Sequence, residues 1–221
     1  MLNYETKSLF YNEYLYKLVV KNYLACIFRD KNLNNARNEL DRMQTQLDDD
    51  KFIRRSIGIR DTFVSQDDFN SSKIILSLFS SFNQEDYKLR IEMGTMNVYT
   101  NSKAVINALL SRICVEEFWE PNKKYLSKLD KNVILVDHAS KFDYRVTFNQ
   151  RFIDQNFYKW VQKNSDKVKI GRIALEAVEG GYAPGLYFYT RDEKILQLVS
   201  LLIGHNFQSV QRIVSTQDLD K

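Results

Sequence analysis

MNVYTNSKAVINALLSRI (96–113) and LYFYTRDEKILQLVSLLI (186–203) align without a gap. Each reads as a short strand ending in Tyr-Thr, two polar residues and an amphipathic run. The matched pairs are Val98/Phe188, Tyr99/Tyr189, Thr100/Thr190, Val105/Ile195, Ile106/Leu196, Leu109/Val199 and Ile113/Ile203. Much of this likeness is generic, because strand propensity followed by a helix cap produces it in many proteins. Its weight lies in position: the two stretches occupy equivalent places in two halves of similar element order.

In the second half, KFDYRVTFN (141–149) reads as a strand. RFIDQNFYKWVQKN (151–164) is a helix with Phe152, Ile153, Asn156, Phe157, Trp160 and Val161 on one side. KVKIGRIALEAV (167–178) opens as a strand. GGYAPG (180–185) is the densest cluster of helix and strand breakers and forms a loop between strands. LYFYT is the next strand and RDEKILQLVSLLI (191–203) the next helix. Thr190 and Glu193 have capping-box spacing, and Gly204 suits the position after the helix. FQSVQRIV (207–214) is the last strand. This order is β-α-β-β-α-β, the ferredoxin-like split arrangement.

The first half runs similarly. YLYKLVVK (14–21) is a strand. NLNNARNELDRMQTQL (32–47) places Leu33, Ala36, Leu40, Met43 and Leu47 on one helix face, and the acidic Asp48-Asp49-Asp50 ends it. RRSIGIRDTFV (54–64) alternates as a strand whose Ser56-Ile57-Gly58-Ile59 echoes Lys169-Ile170-Gly171-Arg172. DDFNSSKIILSLFSSF (67–82) is an Asp-capped helix. YKLRIEMGTMNVYT (87–100) is a hairpin turning at Met93-Gly94-Thr95. SKAVINALLSRICVEEFW (102–119) is helical and NVILVDH (132–138) is a strand. The expectation is an α+β chain of two ferredoxin-like (βαββαβ) units. Residues 1–140 form one, elaborated by helix 67–82 and strand 87–92, and 141–221 form the other.

The 221 residues carry 44% hydrophobic and 13% aromatic side chains, ample for cores, with only 7 Gly and 2 Pro. That composition excludes global disorder and long flexible linkers. A formal net charge of +4 permits an anionic partner without demanding one. Cys26 and Cys114 have no metal or disulfide spacing and read as buried reduced thiols. No apolar run approaches the roughly 20 residues of a membrane span, and the N-terminus has no leader pattern. A soluble cytoplasmic protein with no membrane partner is expected. The Asn-, Lys-, Ile-, Tyr- and Phe-rich composition has an A+T-rich flavour, and a phage-encoded protein would lie in host cytoplasm or virion.

Enzymatic signatures are thin. GxSxG, GxxxxGK[ST] and GxGxxG do not occur, EF-hand spacing is missing, and no cofactor or metal is expected. The only histidines, His138 and His205, read as structural. Nucleic acid is the sharpest candidate partner. Sheets of the RNA-recognition kind stack bases on their first and third strands. Period two along 142–149 and 185–190 puts Tyr144, Val146 and Phe148 in the core with Leu186 and Phe188. Arg145, Thr147, Tyr187 and Tyr189 then share the opposite face, with Lys169 and Arg172 close in sequence to the neighbouring strand. Tyrosines beside an arginine suit base stacking and phosphate contact. The first half would offer Tyr99, Lys88 and Arg90, with either Lys17 and Val19 or Tyr16 and Leu18. PGLYFYT lacks the Lys/Arg-Gly start of the RNA-recognition consensus, so no family is assigned. The expected function is therefore non-enzymatic binding of single-stranded RNA or DNA. A structural or assembly role through protein contacts or self-association is the alternative, with Phe118, Trp119 and Tyr125 in EEFWEPNKKY (116–125) as the contact residues. A metal-independent RNA-processing enzyme with His138 or His205 as general base ranks third.

Overall fold

A computed structural model describes residues 1–49, 51–57, 60–204 and 206–220. The chain is mixed α+β and divides into two compact units. The first comprises Met1–Thr6 and Glu13–Asn122, the second Lys7–Asn12 and Lys123–Lys221.

The first unit contains a five-stranded sheet. Its strands are β1 (Leu2–Thr6), β2 (Tyr16–Lys21), β5 (Tyr87–Glu92), β6 (Thr95–Thr100) and β7 (Glu117–Pro121). They lie in the order β1-β7-β2-β6-β5. A separate two-stranded hairpin, β3 (Arg54–Ile57) and β4 (Arg60–Phe63), stands outside that sheet. Three helices accompany it: α1 (Leu33–Asp48), α2 (Gln66–Ser81) and α3 (Lys103–Leu110). The spacing read in 32–47 buries Ala36, Leu40 and Met43, and Asn32 caps α1 by accepting the Asn35 N–H. Met93 and Gly94 both have positive φ, 42° and 81°, which gives the β5–β6 hairpin a tight primed turn. Tyr16, Leu18, Val20, Met96 and Val98 face the helices in a core with Phe28, Phe69, Phe79 and Tyr87.

The second unit also has a five-stranded sheet, of β8 (Val133–Val136), β9 (Tyr144–Phe148), β10 (Val168–Ile170), β11 (Tyr187–Thr190) and β12 (Phe207–Ser215). The order is β10-β11-β9-β12-β8. Its helices are α4 (Gln155–Lys163), α5 (Arg172–Glu179), α6 (Glu193–Leu202) and the short α7 (Thr216–Leu219). Val146, Phe148, Phe157, Val178, Phe188 and Val199 form its core.

The two sheets follow one plan. In each, the strand that comes first in the chain lies on an edge, parallel to the last: β1 beside β7 and β8 beside β12. All other neighbours are antiparallel. The central pairing also has the same register. Tyr16, Lys17 and Leu18 stand opposite Thr100, Tyr99 and Val98, as Tyr144, Arg145 and Val146 stand opposite Thr190, Tyr189 and Phe188.

Several expected elements differ. RRSIGIRDTFV is a hairpin rather than one strand, and the sheet's matching strand is β5. Gly58 and Ile59, half of the echo with Lys169–Arg172, lie outside the described residues, as do Asp50 and His205. The helix read over 102–119 ends at Leu110, and EFWEP continues as β7 because Phe118 alternates into the core. NVILVDH supplies β8, which pairs with β12, so this strand belongs with the residues after 141. RIALEAVE is a helix: Gly171 starts it, Ala174 and Val178 bury at i,i+4, and Ala, Leu and Glu favour that geometry. The loop at 180–185 thus follows a helix rather than joining two strands. Asp192, not Thr190, caps α6 by accepting the Ile195 N–H at 2.9 Å, and Ser65 rather than an aspartate caps α2. Gly204 does follow α6 with positive φ, 58°.

Candidate nucleic-acid interface

The face of the second sheet opposite its core is built by strand alternation. Val146, Phe148 and Phe188 point inward and are fully buried. Their neighbours Arg145 and Thr147 on β9, and Tyr187 and Tyr189 on β11, point the other way. Pairing aligns these side chains into cross-strand rows. Lys169 on β10 stands opposite Tyr189, Tyr189 opposite Arg145, and Arg145 opposite Gln211 on β12. A second row runs Tyr187, Thr147, Ser209. β9 is the middle strand of the five and β11 its neighbour.

The rings and the guanidinium are in mutual contact. Arg145 lies over the Tyr187 ring at 5.0 Å, and the Tyr187 and Tyr189 rings meet edge to face at 5.6 Å. Cation–π contact of this kind holds the guanidinium plane against the aromatic surface. The Arg145 Nε is buried without a hydrogen-bond partner among the described residues. Tyr187 remains 45% exposed. Tyr189 is half-buried, and Phe142 approaches its ring at 6.3 Å. Burial and the neighbouring Tyr187 raise the Tyr189 phenol above its ordinary value while Arg145 opposes them, so the phenol is neutral near pH 7. Lys169 and Arg172 are exposed; Arg172 starts α5 and pairs with Glu176 at 3.4 Å.

The first sheet carries a corresponding row. Lys88 on β5 stands opposite Tyr99 on β6, Tyr99 opposite Lys17 on β2, Lys17 opposite Trp119 on β7, and Trp119 opposite Tyr4 on β1. Lys88, Tyr99 and Lys17 therefore occupy the places of Lys169, Tyr189 and Arg145. Of the two first-half pairs considered, Lys17 and Val19 share this face, while Tyr16 and Leu18 belong to the core. Tyr99 is only 6% exposed, and Val19 and Asn97 beside it are buried too. Lys88 and Arg90 are exposed, and Arg90 pairs with Glu92 at 2.6 Å.

The expected partner-contact residues are divided between the units, Phe118 and Trp119 in the first and Tyr125 in the second. Phe118 is buried and stacks on Tyr16 at 6.4 Å. Trp119 is half-buried; its ring stacks on Tyr4 at 4.5 Å, lies under the Lys17 ammonium at 5.5 Å, and its Nε1 donates to Glu117. Tyr125, in the second unit, donates its hydroxyl to the Asp220 carboxylate. His138 is exposed just past β8. Cys114 is exposed and Cys26 half-buried, against the expectation of two buried thiols. Among the described residues, no group of three or more His, Cys, Asp or Glu side chains could hold a metal ion, and no helix is long and apolar enough to cross a membrane.

Period-two reading found the face but not its lateral extent. Gln211 and Ser209 join it through the β9–β12 pairing, and Lys17 and Trp119 complete the first row through β7; that information is carried by register, not by any local motif. No family model, curated protein or solved structure matches the chain.

Proposed function

We propose that the protein binds single-stranded nucleic acid on the open face of the second unit's sheet and does so without catalysis. The observation that supports this best is the contact set Tyr187–Arg145 and Tyr187–Tyr189 on adjacent central strands, flanked by Lys169. Exposed tyrosine offers a stacking surface to any base, and Arg145 and Lys169 offer charge to the phosphates. We also infer that both units are elaborated ferredoxin-like folds. With the parallel edge strand set aside, the remaining strands follow the split β-α-β-β-α-β order in each sheet.

Retention of the protein on single-stranded oligonucleotides at low salt, falling as salt rises, is the expected result. Replacing Tyr187 and Tyr189 together by alanine should weaken binding by about 1–3 kcal/mol per stacked base. Absence of retention on any RNA or DNA strand at low salt refutes the proposal. A protein-contact reading has one observation in its favour: Leu198 and Leu201 are exposed one turn apart on α6. It predicts self-association or a co-purifying partner that Leu198→Gln with Leu201→Gln abolishes, and a strict monomer with no partner opposes it.

A further inference from the structure

Beside Tyr187 the second unit has an open recess of about 460 Å³ lined by Gly171, Arg172, Ile173, Ala174, Leu186 and Tyr187. Its walls are aliphatic on the α5 side and aromatic on the β11 side. Ile173 is 71% exposed and presents apolar surface at the recess. Gly171 keeps the entrance wide, since a Cβ built there would meet nothing within 4 Å. The recess and the sheet face have Tyr187 in common, which contacts both Arg145 and Tyr189.

Resting on the binding reading above, we infer that this recess receives the base of a nucleotide adjacent to the one stacked on the sheet, and that the bound strand runs from Tyr187 toward Arg172. Charge favours a strand over an aliphatic ligand. Lys169 and Arg145 flank Tyr189 in the cross-strand row beside the recess, while Arg172 lines the recess and pairs with Glu176. That pair is exposed on both sides, 88% and 63%, at 3.4 Å. Exposed ion pairs hold so weakly that a phosphate can take the guanidinium. A nucleobase also fits the lining chemically, because it presents a flat apolar face to Tyr187, Ile173 and Leu186. No amide, hydroxyl-bearing aliphatic or carboxylate side chain lines the recess. Its apolar walls meet a base by its faces, and Arg172 is the lining side chain able to reach a base edge.

The test uses a deoxythymidylate dodecamer followed by fluorescence anisotropy at low salt. Gly171→Leu fills the recess from a backbone position of ordinary φ (−72°) with free space around it. Ile173→Glu sets a carboxylate at an exposed position and leaves the core untouched. Each should lower affinity at least about fivefold, the lower end of what one stacked base contributes, and a dodecamer of abasic sugars should bind wild type and Gly171→Leu alike. If both variants bind the dodecamer as wild type does while Tyr187→Ala weakens it, the recess inference is overturned and the sheet reading stands. If wild type binds no strand, both fall. Thymidine monophosphate competing at the dodecamer's own concentration would also overturn the inference, because it would mark a small-molecule pocket instead of a stop along a strand.

Discussion

The two units set five strands in the same order and register, and they differ in what covers them. In the first, Tyr99 stands where Tyr189 stands in the second, yet Tyr99 and its neighbours Val19 and Asn97 are buried. In the second, Tyr187 takes the place of Asn97 and is exposed beside Arg145. The helical sides differ as well. Aligned from the strand ends, Ala108 and Ser111 of the first unit correspond to Leu198 and Leu201 of the second, and the leucines are exposed. The first unit inserts α2, which packs on α1 and α3 and enlarges its core. A scaffold residue such as the tyrosine of the Tyr-Thr pair therefore has no fixed role. Burial decides whether it serves packing or remains available to a partner.

The largest effects should come from the cores. Phe79 stacks on Tyr87 at 4.8 Å and meets Phe28 at 5.9 Å; Phe188 meets Phe148 at 4.9 Å and Phe157 at 5.5 Å. Phe79→Ala and Phe188→Ala should each cost about 3–5 kcal/mol in denaturant unfolding. A loss under about 1 kcal/mol for Phe188→Ala would show that the second core is loosely packed and that the likeness stops at topology. Next, Tyr187→Asn gives the second sheet the residue of the first. It should reduce oligonucleotide affinity by about 1–3 kcal/mol, whereas Tyr99→Phe should leave affinity unchanged in the same titration. Equal effects of the two would erase the distinction between covered and open face. Leu201→Gln, at a 73% exposed site, should move thermal stability by no more than about 0.5 kcal/mol.

The smallest effect concerns pH and only the second unit. The Lys124 ammonium at 2.8 Å, then the Tyr125 hydroxyl, hold the Asp220 carboxyl below its ordinary value of 3.8. A folded-state value below the unfolded one means that the contact is intact above the ordinary carboxylate range and is lost as pH falls through the depressed value. Protection of the α7 amides, taken relative to the intrinsic exchange rate at each pH, should fall only in that acidic window, and Asp220→Asn should remove that change in protection while leaving the sheets unchanged.

Much of the fold was legible wherever periodicity met a cap. The α1 spacing, the β5–β6 turn and the strand–helix passage at 96–113 and 186–203 follow from local physics and stand where expected. The face carrying Arg145, Thr147, Tyr187 and Tyr189 follows from period two alone. Three kinds of information were not local. LNYET is an edge strand whose parallel partner is remote in sequence, so nothing adjacent marks it, and VILV reads as a strand but nothing adjacent tells that it pairs with β12. EFWEP was absorbed into a helix because α3 and β7 both carry apolar residues and no Gly or Pro separates them. KVKIGRIALEAV opens as a strand at VKI, and the helix that its remainder forms is masked by that start although Ala, Leu and Glu favour it. The role of Phe118 was misjudged for the same reason: an aromatic beside Pro121 resembles an exposed linker until pairing puts it opposite Leu18 in the core.

The strand order has a consequence for colloidal behaviour. β5 and β10 each form one edge of their sheet, opposite β1 and β8, and they carry Lys88 with Arg90 and Lys169 respectively. Charged side chains on an open edge discourage another chain from adding itself as a further strand. The cations proposed to meet phosphate thus also act as gatekeepers against edge-to-edge polymerisation. Neutralising them all at once should yield a protein that precipitates, and a drop in apparent binding by such a variant would then report lost monomer and not lost contacts.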